Sequence, residues 1–296
     1  MSAIELSVVL AAAGGGPSMR AALAAIQRGC DEPSTEVIVV MIDGSDPGDL
    51  STNKFVEVRV AYRAAGTLTP VLWGAGLELS RGSIVAFTTD QMRVPPHWGR
   101  ALCAAITGIV VGTAGPIDLD PDADAATAAA FFARFSSFTP ERWPGASLVR
   151  DIPGDNAAYR REVVVRHRDL VREGFWEAEF HRRFERDGLE LRIVPGACAT
   201  LVGPVSFGTL VGQRFRHGRE FGASRVTRHG ASRLRLLLSA PVVPLVLLAR
   251  FGRRAFAVPR NRGRFITAFP WLVVLAMWWA AGEAVGALRP RTADQR

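Results

Sequence analysis

Two acids stand where apolar runs end. EVIVVMI (36–42) gives way to Asp43-Gly44-Ser45, and in IVAFTTDQMRVPPHW (84–98) the run Ile84 to Phe87 stops at Thr88, Thr89 and Asp90 before Pro95-Pro96. A carboxylate at the end of a buried strand can grip a ligand at the C-terminal edge of a parallel sheet, where open α/β folds bind. It can equally shape a turn, a common role for Asp beside Gly. A second pair of acids lies in FWEAEFHRRFERDG (175–188), where Trp176, Phe180 and Phe184 mark one apolar helix face. Glu177 borders that face, and Glu179 is spaced to pair with Arg183. In GDNAAYRREVV (154–164), Asn156 stands at a turn that reads as entering a helix, where it can cap.

The elements that must hold these groups alternate along the first half. IELSVVLAA (4–12) reads as a strand ending at Gly14-Gly15-Gly16, and SMRAALAAIQR (18–28) as a helix with Ser18 at its N-cap. EVIVVMI and FVEVRVAY (55–62) are strands, LWGAGLELS (72–80) a helix, and IVAF the next strand. VVGTAGPIDLD (110–120) is another strand, followed by an Ala-rich helix over 122–135 and an irregular stretch over 136–148. After the helix in 173–197 come Gly188 and a further strand. Strands apolar throughout and separated by helices predict an α/β fold with a mostly parallel sheet covered on both faces. Both acid-bearing loops, at Asp43 and Asp90, then project at one edge. Neither GxGxxG nor GxxxxGK[ST] occurs, so no dinucleotide fingerprint or Walker loop is expected.

The chain of 296 residues can bury a full core. Its 36 Lys+Arg against 28 Asp+Glu give +8, and Lys54 is the sole lysine, so the positive charge is nearly all arginine. Guanidinium suits phosphate, although heavy Arg and Ala use also follows from genome composition. From Arg214 onward the arginines flank two apolar segments, 236–249, broken by Pro241 and Pro244, and 265–282, continuing to Leu288. The longer one approaches the roughly 20 apolar residues of a membrane span, with tryptophans suited to an interfacial belt. Such a tail predicts contact with membrane lipids. Nucleic acid is not expected, because the arginines border apolar segments instead of interleaving with exposed aromatics. The N-terminus lacks a basic region before its apolar stretch and reads as a strand, not a signal peptide. Cys30, Cys103 and Cys198 show no metal-ligand spacing and read as buried thiols in a reducing compartment.

In this order and spacing, the blocks SVVLAA, VIVVMIDGSDP, GLELSRGSIVAFTTDQMRVPPHW, GDNAAYRRE and FWEAEFHRRFERDGLELRIVPGA resemble those of the family 2 glycosyltransferases of the GT-A fold, from about Ile4 to Arg228. The resemblance implies a GT-A domain over 1–230 and a membrane-associated helical region over 231–296. It implies donor binding by Ala12, Asp43, Gly44, Ser45, Thr88, Asp90 and Asn156. It also implies Mg²⁺ or Mn²⁺ held at Asp90, and Glu177, with Glu179 second, as the general base of an inverting transfer. Two acids of the family pattern are absent: Ile42 and Thr88 stand in their places, so Asp90 lacks its usual partner. Arg219 and Arg225 are then the expected phosphate-binding groups of a metal-independent route. The expected partners are a nucleotide-sugar donor and a lipid-linked or envelope glycan acceptor, at the cell membrane with the catalytic domain cytoplasmic. The competing expectation is a non-catalytic scaffold or nucleotide-binding protein of the same fold.

Overall fold

In the computed structural model, which describes residues 4–30, 34–50, 55–203 and 206–289, the chain divides into two compact units. One comprises residues 1–118 and 138–202; the other comprises 119–137 and 203–296. This division takes the helix beginning at Phe207 and the Ala-rich helix into the second unit, so it does not fall at residue 230. The last residues of the 231–296 region lie outside the described residues.

The first unit begins β1 (Leu6–Ala12), α1 (Gly16–Gly29), β2 (Thr35–Ile42), β3 (Glu57–Arg63), α2 (Thr69–Leu79) and β4 (Ile84–Thr89). It continues with β5 (Met92–Arg93), α3 (Trp98–Ala104), β6 (Val110–Ala114) and β7 (Ile117–Leu119). After α4 (Ala125–Phe135), which belongs to the second unit, come β8 (Ser147–Val149), β9 (Asn156–Arg160), α5 (Arg161–Arg166), α6 (Arg168–Val171), α7 (Glu177–Arg186), β10 (Glu190–Ile193) and β11 (Ala199–Leu201). Eight strands form one sheet in the order β3-β2-β1-β4-β9-β6-β10-β8, and β5-β11-β7 form a second, small one. β1 runs parallel to both β2 and β4, whereas β9 is antiparallel to its neighbours β4 and β6.

β1, wholly buried, and β2, buried except for Ile42, carry the apolar runs Val8–Ala12 and Val37–Ile42 expected of central parallel strands. On one face, α2, α7 and the segment at Phe175 close over an aromatic core. Phe87 stacks on Phe175 with ring centroids 4.3 Å apart, and Phe175 on Phe180 at 4.6 Å. Close packing here requires Gly76, whose added Cβ would lie 2.2 Å from Val9 Cγ1.

Several local expectations are corrected. GDNAAYRREVV is a buried antiparallel strand before it is a helix, so Asn156 begins β9 and caps nothing. The 110–120 stretch breaks at Gly115-Pro116 into two strands belonging to different sheets. Ser18 lies inside α1, whose N-cap is Gly15 at φ 92°, and the Ser18 hydroxyl donates to Asp90 O instead. Within the stretch read as irregular, Ser147–Val149 pairs with β10. Cys30 is buried, while Cys103 and Cys198 are half-buried.

The second unit is helical: α4, then α8 (Phe207–Thr227), α9 (Arg233–Ser239), α10 (Val243–Phe256) and α11 (Asn261–Leu288). α11 is long and apolar enough to cross a membrane, and α9 and α10 meet at a 64° bend. Phe132 of α4 packs edge-on against Phe265, and Arg264 donates to the carbonyls of Asp120 and Pro121.

Candidate functional site

Parallel register puts the C-terminal ends of β1, β2 and β4 at one edge: Ala12 lies opposite Met41, and Ala11 opposite Thr89. Strand order reverses between β1 and β4, the point where open α/β sheets leave a crevice for ligands. Because β9 is antiparallel, its first residue reaches the same edge, with Asn156 opposite Thr88. Ala12, Asp43, Gly44, Ser45, Thr88, Asp90 and Asn156 are thus gathered from four strands.

Asp90 ties this edge together. Its Oδ2 accepts from the Gly14 N–H at 2.6 Å, its N–H donates to Ala11 O, and its carbonyl accepts from Ser18 Oγ and Arg93 Nη1. Gly14 has no room for a side chain, since a Cβ would lie 2.7 Å from Asp90 Oδ2. Burial pushes the Asp90 carboxyl up to about 6, against the Gly14 N–H and the Arg93 guanidinium, which pull it down. Beside it, Thr88 Oγ1 and Thr89 Oγ1 are buried with no hydrogen-bond partner among the described residues. Buried hydroxyls are costly to leave unpaired.

The other loops of the edge are open. Asp43 is exposed, its N–H donating to Arg63 O, and Gly44 turns the chain at φ 84°. Arg20, on the exposed side of α1, lies against both loops: Cβ atoms at Gly16 and Gly48 would lie 2.9 and 2.7 Å from its Nη1. The edge therefore combines the N-terminus of α1, a glycine loop and a guanidinium, a combination suited to a phosphate. The sequence reading missed Arg20, and its spacing just inside a helix after Gly14-Gly15-Gly16 was the available signal.

Glu177 reaches this neighbourhood through Trp73. The Trp73 indole N–H donates to Thr88 O at 2.9 Å, and a Cβ at Gly154 would lie 3.0 Å from the Trp73 ring and 3.3 Å from Glu177 Cδ. Glu177 is the first residue of α7, where helix N–H groups favour an acid. That helix is locked from behind: Tyr159 Oη meets His181 Nε2 at 2.9 Å, and His181 Nδ1 meets Asp151 Oδ1. Burial, then the nearby charges of Glu177 and Asp151, drives the Tyr159 hydroxyl well above its usual range, so it stays a donor.

Other expected groups are engaged elsewhere. The Asn156 amide donates to Pro116 O and Ala197 O and accepts from the Trp98 indole, which fixes it as a strut of the edge. Glu179 pairs with Arg182 at 3.0 Å, not with Arg183, which binds Asp169. Arg219 and Arg225 belong to the second unit, where Arg225 meets the buried Glu283 at 2.6 Å and Arg219 lies 3.8 Å from Glu220. Among the described residues no group of three or more His, Cys, Asp or Glu is placed to hold a metal ion. Asp90, shielded and with one oxygen taken, does not by itself fit a resident Mg²⁺ or Mn²⁺, which prefers several hard oxygen ligands. Compared with protein-family models and with curated proteins, the chain matches none.

Proposed function

We propose that the first unit is the catalytic domain of an inverting glycosyltransferase that resembles family 2 of the GT-A fold. It moves a sugar from a nucleotide-sugar donor to a lipid-linked or cell-envelope acceptor at the cytoplasmic face of a membrane. The supporting observation is the convergence at one sheet edge of the Gly14–Gly16 loop, the Asp43-Gly44-Ser45 turn and Asp90, with Glu177 reached from Thr88 through Trp73. Base and ribose lie against the Asp43 turn. The diphosphate lies against the α1 N-terminus and Arg20. Glu177 takes the acceptor proton as the acceptor oxygen bonds the anomeric carbon and the bond from that carbon to the diphosphate breaks. Asp90 holds the glycine loop through Gly14. A divalent ion that arrived with the donor would add charge stabilisation to the leaving diphosphate.

A second reading, a nucleotide-binding scaffold without catalysis, is favoured by the engagement of Asp90 with Gly14 and by Ile42 and Thr88 in place of acids. A thermal-shift titration of the purified chain with UDP-, GDP- and dTDP-sugars, each with and without Mn²⁺, tests the donor site. Stabilisation by one nucleotide class, lost in Arg20→Ala, is the expected result. A folded protein unmoved by every donor contradicts both readings.

A further inference from the structure

Building on the membrane-associated reading of this chain, we infer that the second unit is a one-sided membrane platform, in which α11 lies in the plane of an anionic leaflet and does not cross the bilayer.

The packing of α8 on α11 is the first observation. The helices run parallel, Phe207 meeting Trp271 and Phe215 meeting Trp278, and they touch backbone to backbone through reciprocal GxxxG pairs. A Cβ at Gly218 or Gly222 would lie 2.3 or 2.2 Å from a carbonyl oxygen of α11. At Gly282 or Gly286 it would lie 2.1 or 1.9 Å from one of α8. Contact this close leaves no room for lipid, so α8 accompanies α11 wherever α11 lies.

The charge on α8 is the second. Arg214, Arg216, Arg219, Glu220 and Arg225 fall within twelve consecutive residues of it. Arg225 answers Glu283 of α11, and Arg214 lies over the Trp279 ring at 4.4 Å. A crossing α11 would set these guanidinium groups beside its C-terminal third, with Arg214 and Arg216 next to the apolar turns around Trp278 and Trp279, a costly placement in a membrane. The ends of the pair agree: Arg260, Arg262 and Arg264 stand at the start of α11, and Arg289 with Arg225 and Arg228 of α8 at its finish. Positive charge at both ends favours keeping both on the cytoplasmic side.

The remaining surface supplies the lipid contact. Among the described residues, thirteen of the eighteen large exposed apolar side chains belong to this unit. Along α11, Ile266, Met277 and Leu288 lie on the side opposite the buried stripe Phe265, Leu272, Ala276 and Gly286, and Leu238 and Leu245 extend the apolar surface onto α9 and α10. An apolar stripe bordered by arginines fits the headgroup and acyl boundary of an anionic leaflet.

The test uses the full chain carrying Gly263→Cys or Leu288→Cys. Gly263 has open space around a Cβ, and Leu288 is 54% exposed. The parent chain, with its three native thiols, gives the background. Sealed right-side-out and inside-out vesicles from expressing cells are treated with a membrane-impermeant maleimide. In-plane placement requires both added thiols to react in inside-out vesicles and neither in right-side-out ones. Reaction from opposite sides overturns the inference while leaving membrane association intact. Flotation separates the two ideas: the purified chain should float with phosphatidylglycerol vesicles, several-fold less at high salt, and poorly with phosphatidylcholine alone. Failure to float with either lipid would instead remove the membrane reading on which the inference rests.

Discussion

Replacing Asp90 by Asn should stabilise the protein at neutral pH relative to its effect in acid. The carboxyl is 3% exposed, and burial moves its pKa from 3.8 to about 6. A group whose folded pKa exceeds its unfolded one holds its proton more tightly when folded. Its contribution is therefore most favourable below about 3.8, declines as pH rises toward 6, and stays at its least favourable above. A span of about two pH units corresponds to about 3 kcal/mol. Asn removes that dependence and keeps an oxygen that can accept from the Gly14 N–H, now 2.6 Å from Asp90 Oδ2. It also buries an amide N–H₂, which costs about 1 kcal/mol if it is poorly partnered. The stability of the variant minus that of the parent should thus rise by about 2.4 kcal/mol between pH 4 and pH 8, with a net gain of about 2 kcal/mol at pH 8. In thermal melts this is a lead of roughly 4–8 °C for the variant at pH 8. The same loss at both pH values would refute a desolvated, partly neutral Asp90 and make its bond to Gly14 an ordinary turn contact.

At the other end of the sheet Glu36 is fully buried, joined to Ser7, Arg59 and Arg81. Glu36→Gln should cost about 1–3 kcal/mol in denaturant melts, because a buried carboxylate's charged hydrogen bonds are lost while Arg59 and Arg81, partly exposed, keep Glu57 as a partner. Burial raises the Glu36 pKa, but Ser7, Arg81 and Arg59 together hold it below 4.5. The stabilisation it gives is therefore present above the usual carboxylate range and lost as pH falls through the lowered value, a loss that the Gln variant should not show. Tyr159→Phe removes the donor to His181 Nε2 and should cost about 1–3 kcal/mol; a melt unchanged within error would discount the lock behind α7. Gly222→Leu, whose Cβ would press within 2.2 Å of Glu283 O, should cost about 3 kcal/mol and expose 206–289 to limited proteolysis. Thr88→Val replaces an orphan hydroxyl by a methyl and should leave the ligand-free melt unchanged or raised by about 1 kcal/mol, while weakening any donor that uses that hydroxyl.

The sequence exposes those parts of the fold whose signal is local. β1, β2 and β4 are marked by the apolar runs 8–12, 37–42 and 84–87, and their parallel order alone brings Asp43 and Asp90 to one edge. β9 is different: Asn156 before a helical-looking tail has the chemistry of a cap, and only the non-local insertion between β4 and β6 makes Ala157 to Tyr159 a strand. The same holds for the Asn156 amide, whose partners at Pro116, Ala197 and Trp98 are at least forty residues away in sequence. Glu179 was misassigned because the fourfold helix spacing names Arg183, whereas Asp169 from another segment claims that arginine. Trp73, the link between Thr88 and Glu177, shows no motif at all. The GxxxG pairs of α8 and α11 were readable at their spacing, although charged neighbours on α8 obscure an apolar pattern.

Transfer itself is the most direct test of catalysis at this edge. Membranes containing the full chain are incubated with radiolabelled nucleotide-sugars, and the label entering lipid-extractable and polymeric fractions is counted for the parent and for Glu177→Gln. A glycosyltransferase with Glu177 as its base transfers label from one donor class, and the Gln variant falls by at least roughly 100-fold while its melting point and donor-induced shift persist. Full transfer by Glu177→Gln, or no transfer by a parent chain that binds donor, would contradict that role.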